Sequence, residues 1–173
     1  MKDIDVEQDK KELENNFGEG SVRGQSLMGS EVGELEARLA HYCGVKHAIA
    51  CASGADALLM ALAGYGVGPG DAIFTTPFHD AAAVSIIRLL GATPIFVDID
   101  QFTFNLDPEQ LEQAIAALVK GDSSIYPLPN GVAAGTLIPK GILSVDLFGL
   151  PADYDAINAI AARHGLFVIE EGT

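Results

Sequence analysis

The sequence predicts an α/β fold, a three-layer arrangement in which a mostly parallel sheet carries helices on both faces. Two observations point to it. Short apolar runs alternate with longer stretches whose apolar residues recur at helical spacing, a βαβ pattern repeated along the chain. The runs are also nearly continuous in apolar residues, as in residues 142–147, which suits strands buried on both sides. Connections between parallel strands wind right-handed and lay their helices against the sheet.

Each element follows from local chemistry. Residues 1–28 begin with a charged segment that Gly18, Gly20 and Gly24 break, so an N-terminal arm is expected. Residues 29–44 read as an amphipathic helix, with Ser30 as N-cap and Val32, Leu35, Leu39 and Tyr42 at i, i+3, i+7 and i+10. Gly44 supplies its stop. Residues 47–52 form a first expected strand, followed by a tight turn, Ser53-Gly54-Ala55-Asp56, and a helix carrying Leu58, Leu59 and Leu62. Residues 65–71, rich in Gly and Pro, are a loop. Residues 72–77 are a second strand, Phe78-His79-Asp80 a turn, residues 81–90 a helix ending at Gly91, and residues 93–99 a third strand. Asp107 and Pro108 open another helix as N-cap and N1 residues, running to about Val119. Residues 121–141, with Pro127, Pro129, Pro139 and Asn130-Gly131, read as an inserted loop or a small hairpin. A strand at 142–148, a helix at 152–164 ending at Gly165, and a strand at 166–171 complete the pattern.

Composition bounds the function. A chain of 173 residues with 49% hydrophobic and 20% charged residues holds one sizeable core. A net charge of −14 repels a phosphate backbone and argues against nucleic-acid binding, while local dipoles still admit a small phosphorylated ligand. The two cysteines, Cys43 and Cys51, give neither a disulfide framework nor metal-ligand spacing, and suit a reducing cytoplasm. The polar start has no apolar signal region, and no apolar stretch approaches the ~18 residues a membrane span needs.

Ligands of such sheets sit at the carboxyl ends of the strands. There the sequence places Ser53-Gly54-Ala55, Phe78-His79-Asp80, Asp98, Asp100, Asp146 and Glu170-Glu171. The turn at Ser53 gathers free amides and the positive end of a helix dipole, an anion site, and Gly54 lets a phosphate come close. The same residues also read as a capping box, Ser53 with Asp56. His79 reads equally as a capping or surface residue, and Glu170-Glu171 as a solvated pair. A dinucleotide site is disfavoured, because no G-x-G-x-x-G follows a strand.

Taken together, residues 29–171 resemble the pyridoxal-phosphate sugar aminotransferases of the DegT/DnrJ/EryC1/StrS family, which share the aspartate-aminotransferase fold. The resemblance rests on GSEVGELEARLAHYCGVKHAIACASGADALLMAL, GVGPGDAIFTTPF, GATPIFVDIDQFTFNLDPEQLEQAI and VDLFGLPADYDAINAIAARHGLFVIEE, in that order. It implies an incomplete large domain at 29–173 behind the 1–28 arm, with the insertion at about 121–141.

It implies, further, that Ser53, Gly54 and Ala55 hold the cofactor phosphate, with one hydroxyl lost because Ala55 stands where the family has threonine. That loss is expected to cost about 1 kcal/mol of binding. Asp80 falls where the family places a ring over the pyridine, so either His79 stacks instead or the stacking is absent. Glu171 takes the place of the aspartate that pairs with the ring nitrogen. The family's Schiff-base lysine lies beyond this sequence, and neither Lys120 nor Lys140 matches its motif. The implied reaction moves an amino group from an amino acid to a keto-sugar nucleotide in a cytoplasmic homo-oligomer, with these residues inactive alone. The alternative is a non-catalytic module that binds a phosphorylated ligand or dimerises. Exposed apolar surface is expected on either reading.

Overall fold

A computed structural model describes residues 30–172. The expected N-terminal arm lies outside the described residues. The chain divides into two compact units, residues 1–51 and 52–173.

In the first unit, helix α1 spans Ser30–Cys43. It stops at Gly44, whose φ of +68° is the left-handed conformation that suits glycine. The apolar stripe is not buried: Leu35, Leu39 and Tyr42 are all exposed. The strand expected at 47–52 does not form. No described strand pairs with this run; the Ala50 N–H donates to the Glu36 carboxylate at 2.8 Å, and the Cys51 thiol donates to Ile49 O at 3.8 Å. An apolar run becomes a strand only when a neighbour accepts its ladder of hydrogen bonds.

The second unit holds helix α2 (Gly54–Gly64), strand β1 (Asp71–Thr75), helix α3 (Ala81–Leu89), strand β2 (Thr93–Phe96) and helix α4 (Pro108–Lys120). Strand β3 (Ile138–Asp146), a 3₁₀ turn (Leu147–Gly149), helix α5 (Tyr154–His164) and strand β4 (Phe167–Gly172) follow. All strand pairs are parallel, in the order β2-β1-β3-β4. The expected α/β class is therefore observed.

Strand boundaries move for identifiable reasons. Strand β2 ends early because the chain turns back at Asp100, whose carboxylate accepts from the amides of Phe102 and Thr103. Those hydrogen bonds hold its pKa below the ordinary value. Strand β3 starts inside the expected insertion, where the Ile138 N–H donates to Gly70 at 2.9 Å. It ends at Asp146, because Phe148 takes a φ of +57°. The hairpin considered at Asn130-Gly131 has no ladder, and the segment from Gly121 to Leu137 is a loop.

Two apolar cores flank the sheet. Leu58 and Leu62 of α2, with Ala83, Ile86 and Ile87 of α3, pack on Ile73 and Leu143, and Phe167 and Ile169 of β4 join them. On the opposite face, Leu111, Ile115 and Leu118 of α4, with Ile157 and Ile160 of α5, pack on Phe74, Ile142 and Val168. Alternation along β4 thus sends Phe167, Ile169 and Glu171 toward α2, and Val168 and Glu170 toward α5. Outside these cores, Leu89, Phe102 and Phe148 stay exposed, in line with the expected apolar surface.

One contact fixes how α2 lies on β4. Phe167 pairs with Gly141, and a Cβ at Gly141 would come within 2.2 Å of the Phe167 ring. The ring occupies the space the glycine leaves and stacks on Tyr65, the C-cap of α2, with centroids 4.1 Å apart and planes 12° from parallel. Gly141→Ala is expected to lower unfolding stability by about 2 kcal/mol, the cost of forcing a methyl into a filled site. Urea unfolding at neutral pH measures it.

Candidate functional site

The C-terminus of α2 is held at the first residue of β4 by the Tyr65–Phe167 stack. The 11 residues of α2 rise about 16 Å, and β4 travels about 13 Å from Phe167 to Glu171. The start of α2 and the acid of β4 therefore stand at the same end of the sheet, the carboxyl end, and on the same face. Helix α3 begins at this edge too, six residues after β1 ends.

Ser53 is the N-cap of α2. Its Oγ accepts from the Asp56 N–H at 3.1 Å and donates to the Asp56 carboxylate at 2.7 Å. The hydroxyl is thus committed to Asp56 as the cap of α2, but the reciprocal bond of a capping box, from the Ser53 N–H to Asp56, is not made among the described residues. The N–H groups of Gly54 and Ala55 have no acceptor among the described residues, and Ser53, Gly54 and Ala55 are all exposed. These amides, with the helix dipole behind them, form an open anion-binding point.

Asp80 caps α3, accepting from the Ala82 N–H at 3.0 Å. Phe78 does not cover the site, but leans on Phe104 with ring centroids 5.8 Å apart. His79 is half-buried. Its Nε2 lies 3.3 Å from Thr75 Oγ1, while its Nδ1 is buried without a hydrogen-bond partner among the described residues. Burial lowers the His79 pKa, and the charges of Glu171 and Asp80 partly oppose that effect. Glu171 also has a buried, unpartnered atom, Oε2.

Glu170 belongs elsewhere. It faces α5, where burial and the neighbouring Asp146 raise its pKa. Asp146 itself is a structural clamp: Oδ1 accepts from Ala152 N–H at 3.0 Å and from Tyr154 O–H at 2.8 Å. Burial and the bond to Asp146 raise the Tyr154 pKa. Asn105 ties the same loop, bonding Leu147 N–H and Leu150 C=O. Asp98 accepts from the next amide, Ile99 N–H, at 2.8 Å. Of the candidate acids, only Asp80 and Glu171 stand near His79. The lysines Lys120 and Lys140 sit at the end of α4 and in the third position of β3, away from this edge. Sequence reasoning missed Thr75, the buried hydroxyl that anchors His79; the β-branched residue two places before a prolyl turn gave no such signal.

A group with an anionic tail and a protonated ring nitrogen fits these residues. The open amides at Gly54 and Ala55 suit the tail, and the orphaned Oε2 of Glu171 suits an N–H donor.

The sheet with its two helical layers is that of an aminotransferase large domain. The chain belongs to the DegT/DnrJ/EryC1/StrS aminotransferase family, whose model matches residues 7–172. It is 41% identical over 172 residues to the UDP-2-acetamido-2-deoxy-3-oxo-D-glucuronate aminotransferase of Pseudomonas aeruginosa, an alignment covering 97% of this chain and 42% of that protein. A family aminotransferase from Brucella abortus superposes with a TM-score of 0.76 at 43% identity, over 98% of this chain and 43% of that one. The ntda protein of Bacillus subtilis, solved with bound cofactor PMP, superposes with a TM-score of 0.66 at 30% identity, over 82% and 28%. The chain spans about two fifths of the length of the curated relatives it matches.

The lowered pKa of His79 has a definite sign. The unfolded chain binds more protons than the folded one below the ordinary value of 6.5, so stability falls as pH drops from there toward the folded value. Urea unfolding between neutral and mildly acidic pH is expected to show this loss, reduced in His79→Gln.

Proposed function

We propose that these residues form the cofactor-holding part of a pyridoxal-phosphate sugar aminotransferase. The observation that carries this reading is the buried Oε2 of Glu171, unpartnered among the described residues, at the same edge and on the same face as the open start of α2. Gly54 and Ala55 bind the phosphate through their amides, aided by the dipole of α2. Ser53 acts through the cap, holding the first turn in shape. Glu171 keeps a proton on the ring nitrogen by placing its charge beside it. Asp80 fixes the start of α3, and His79 flanks the ring. Bound pyridoxal phosphate supplies an electron sink through which an amino group passes between carbon skeletons.

The substrates on this reading are an amino-acid donor and a keto-sugar nucleotide, as the name of the Pseudomonas aeruginosa relative suggests. Residues 29–173 serve as part of a large domain, with residues 1–28 as an arm. The amine that carries the group between substrates is not among the described residues at this edge, so these residues bind and orient rather than turn over. Two free cysteines, and no described helix long and apolar enough to cross a membrane, suit a cytoplasmic homo-oligomer.

Calorimetric titration with pyridoxal phosphate and with inorganic phosphate tests the reading. Both are expected to bind. Glu171→Gln is expected to weaken pyridoxal phosphate about tenfold and leave phosphate unchanged, the loss of one charge-assisted bond. Ala55→Thr is expected to tighten both about fivefold by returning a hydroxyl. Phosphate binding that gains nothing from the pyridine ring points instead to a phosphate-binding module. No binding of either overturns both.

A further inference from the structure

We infer that His79 is a positioning residue for Glu171: Thr75 donates its hydroxyl hydrogen to Nε2, the ring proton sits on Nδ1, and Nδ1–H faces the carboxylate as a donor. The inference rests on the cofactor reading for its ligand, but not for the state of the imidazole.

The placement comes from the sheet. Thr75 ends β1 on the same face as Ile73, and Glu171 ends β4 on the same face as Ile169. Only β3 lies between them, and Thr75 is level with Leu143 and Ile169, two residues short of Glu171, so their backbones are about 12 Å apart on the diagonal. The residue of β3 level with Glu171 is Val145, which is buried and offers no hydrogen bond. His79 turns back from the loop onto Thr75 and reaches into this gap. Among the described residues two polar atoms are left buried and unpartnered there, Nδ1 of His79 and Oε2 of Glu171, near enough to interact by charge but not bonded to each other.

Their chemistry is complementary in one tautomer only. A carboxylate oxygen only accepts. If Nε2 carried the proton and donated to Thr75, the Nδ1 lone pair would face a carboxylate, acceptor against acceptor. If Thr75 donates, Nδ1 carries the proton and the two orphans match. Thr75 is free to do so, because its buried hydroxyl makes no other hydrogen bond among the described residues. Burial lowers the His79 pKa, against the charges of Glu171 and Asp80, which favours the neutral ring with one proton to place.

The arrangement also answers the difference between Glu171 and the shorter aspartate of the family pattern. Glutamate has one more rotatable bond, and a donor on one lobe of its carboxylate removes that freedom. The other lobe is then held for the ring nitrogen of the ligand. His79 acts through Glu171, and its contribution is to orientation.

The test begins with the ligand-free chain, its histidines labelled with ¹⁵N and the His79 signals identified by their loss in His79→Gln. Long-range ¹H–¹⁵N spectra at neutral pH are expected to show Nδ1 protonated and Nε2 bare. A proton on Nε2 overturns the inference without touching the cofactor reading. Thr75→Val is expected to move the proton toward Nε2 and weaken pyridoxal phosphate about fivefold, with inorganic phosphate unchanged and Thr75→Ser restoring both. Unchanged pyridoxal-phosphate affinity in Thr75→Val overturns the positioning role. A chain that keeps the Nδ1 proton but binds no pyridoxal phosphate instead overturns the cofactor reading, and the positioning role with it.

Discussion

The ring of Phe167 over Gly141 is the contact on which the rest of the site depends. It sets where α2 meets the sheet, because Tyr65 stacks on that ring at the end of the helix. With its C-terminus pinned at the start of β4, α2 must deliver its positive N-terminus to the carboxyl edge. The same residue marks the register of β4. A slip of one residue would turn Glu171 toward α5 and bring Glu170 to the site. An apolar contact thus decides which of two adjacent acids meets the helix dipole.

The two faces of the sheet spend their polar groups differently. Toward α5, Asp146, Tyr154 and Asn105 satisfy one another and the loop between β3 and α5. Farther along, Glu112 of α4 pairs with Arg163 and His164 of α5, an exposed network that lowers the Glu112 pKa, chiefly through its bond to His164. Toward α2, caps absorb Ser53 and Asp80, yet among the described residues two exposed amides and two buried side-chain atoms have no partner, against one buried atom, Ser144 Oγ, on the opposite face. Protein interiors rarely leave such groups unmatched, and where they do a ligand is a common reason. The proposed ligand site lies on the α2 side, where more of these groups gather.

Much of the fold was legible in the sequence. Asp107-Pro108 at the start of α4 and the left-handed Gly165 at the end of α5 are local signals that nothing distant overrides. The run at 47–52 failed because strand formation is a property of pairs, and composition shows only one member. The early end of β2 was hidden for a similar reason: the Asp100 turn competes with apolar residues that favour extension. In the site, the edge was readable from strand ends, but faces were not. Glu170 and Glu171 look alike in sequence, and only the parity fixed by Phe167 separates them. Thr75 was invisible because its partner lies in the next turn rather than at helical or strand spacing.

The central claim is that the start of α2 and the acid of β4 address one ligand from the same end of the sheet. Backbone amide NMR during titration with pyridoxal phosphate tests it most directly. Gly54, Ala55 and Glu171 are expected to shift together along one binding curve. Shifts at Gly54 and Ala55 with Glu171 unmoved, or two curves with different midpoints, would contradict it.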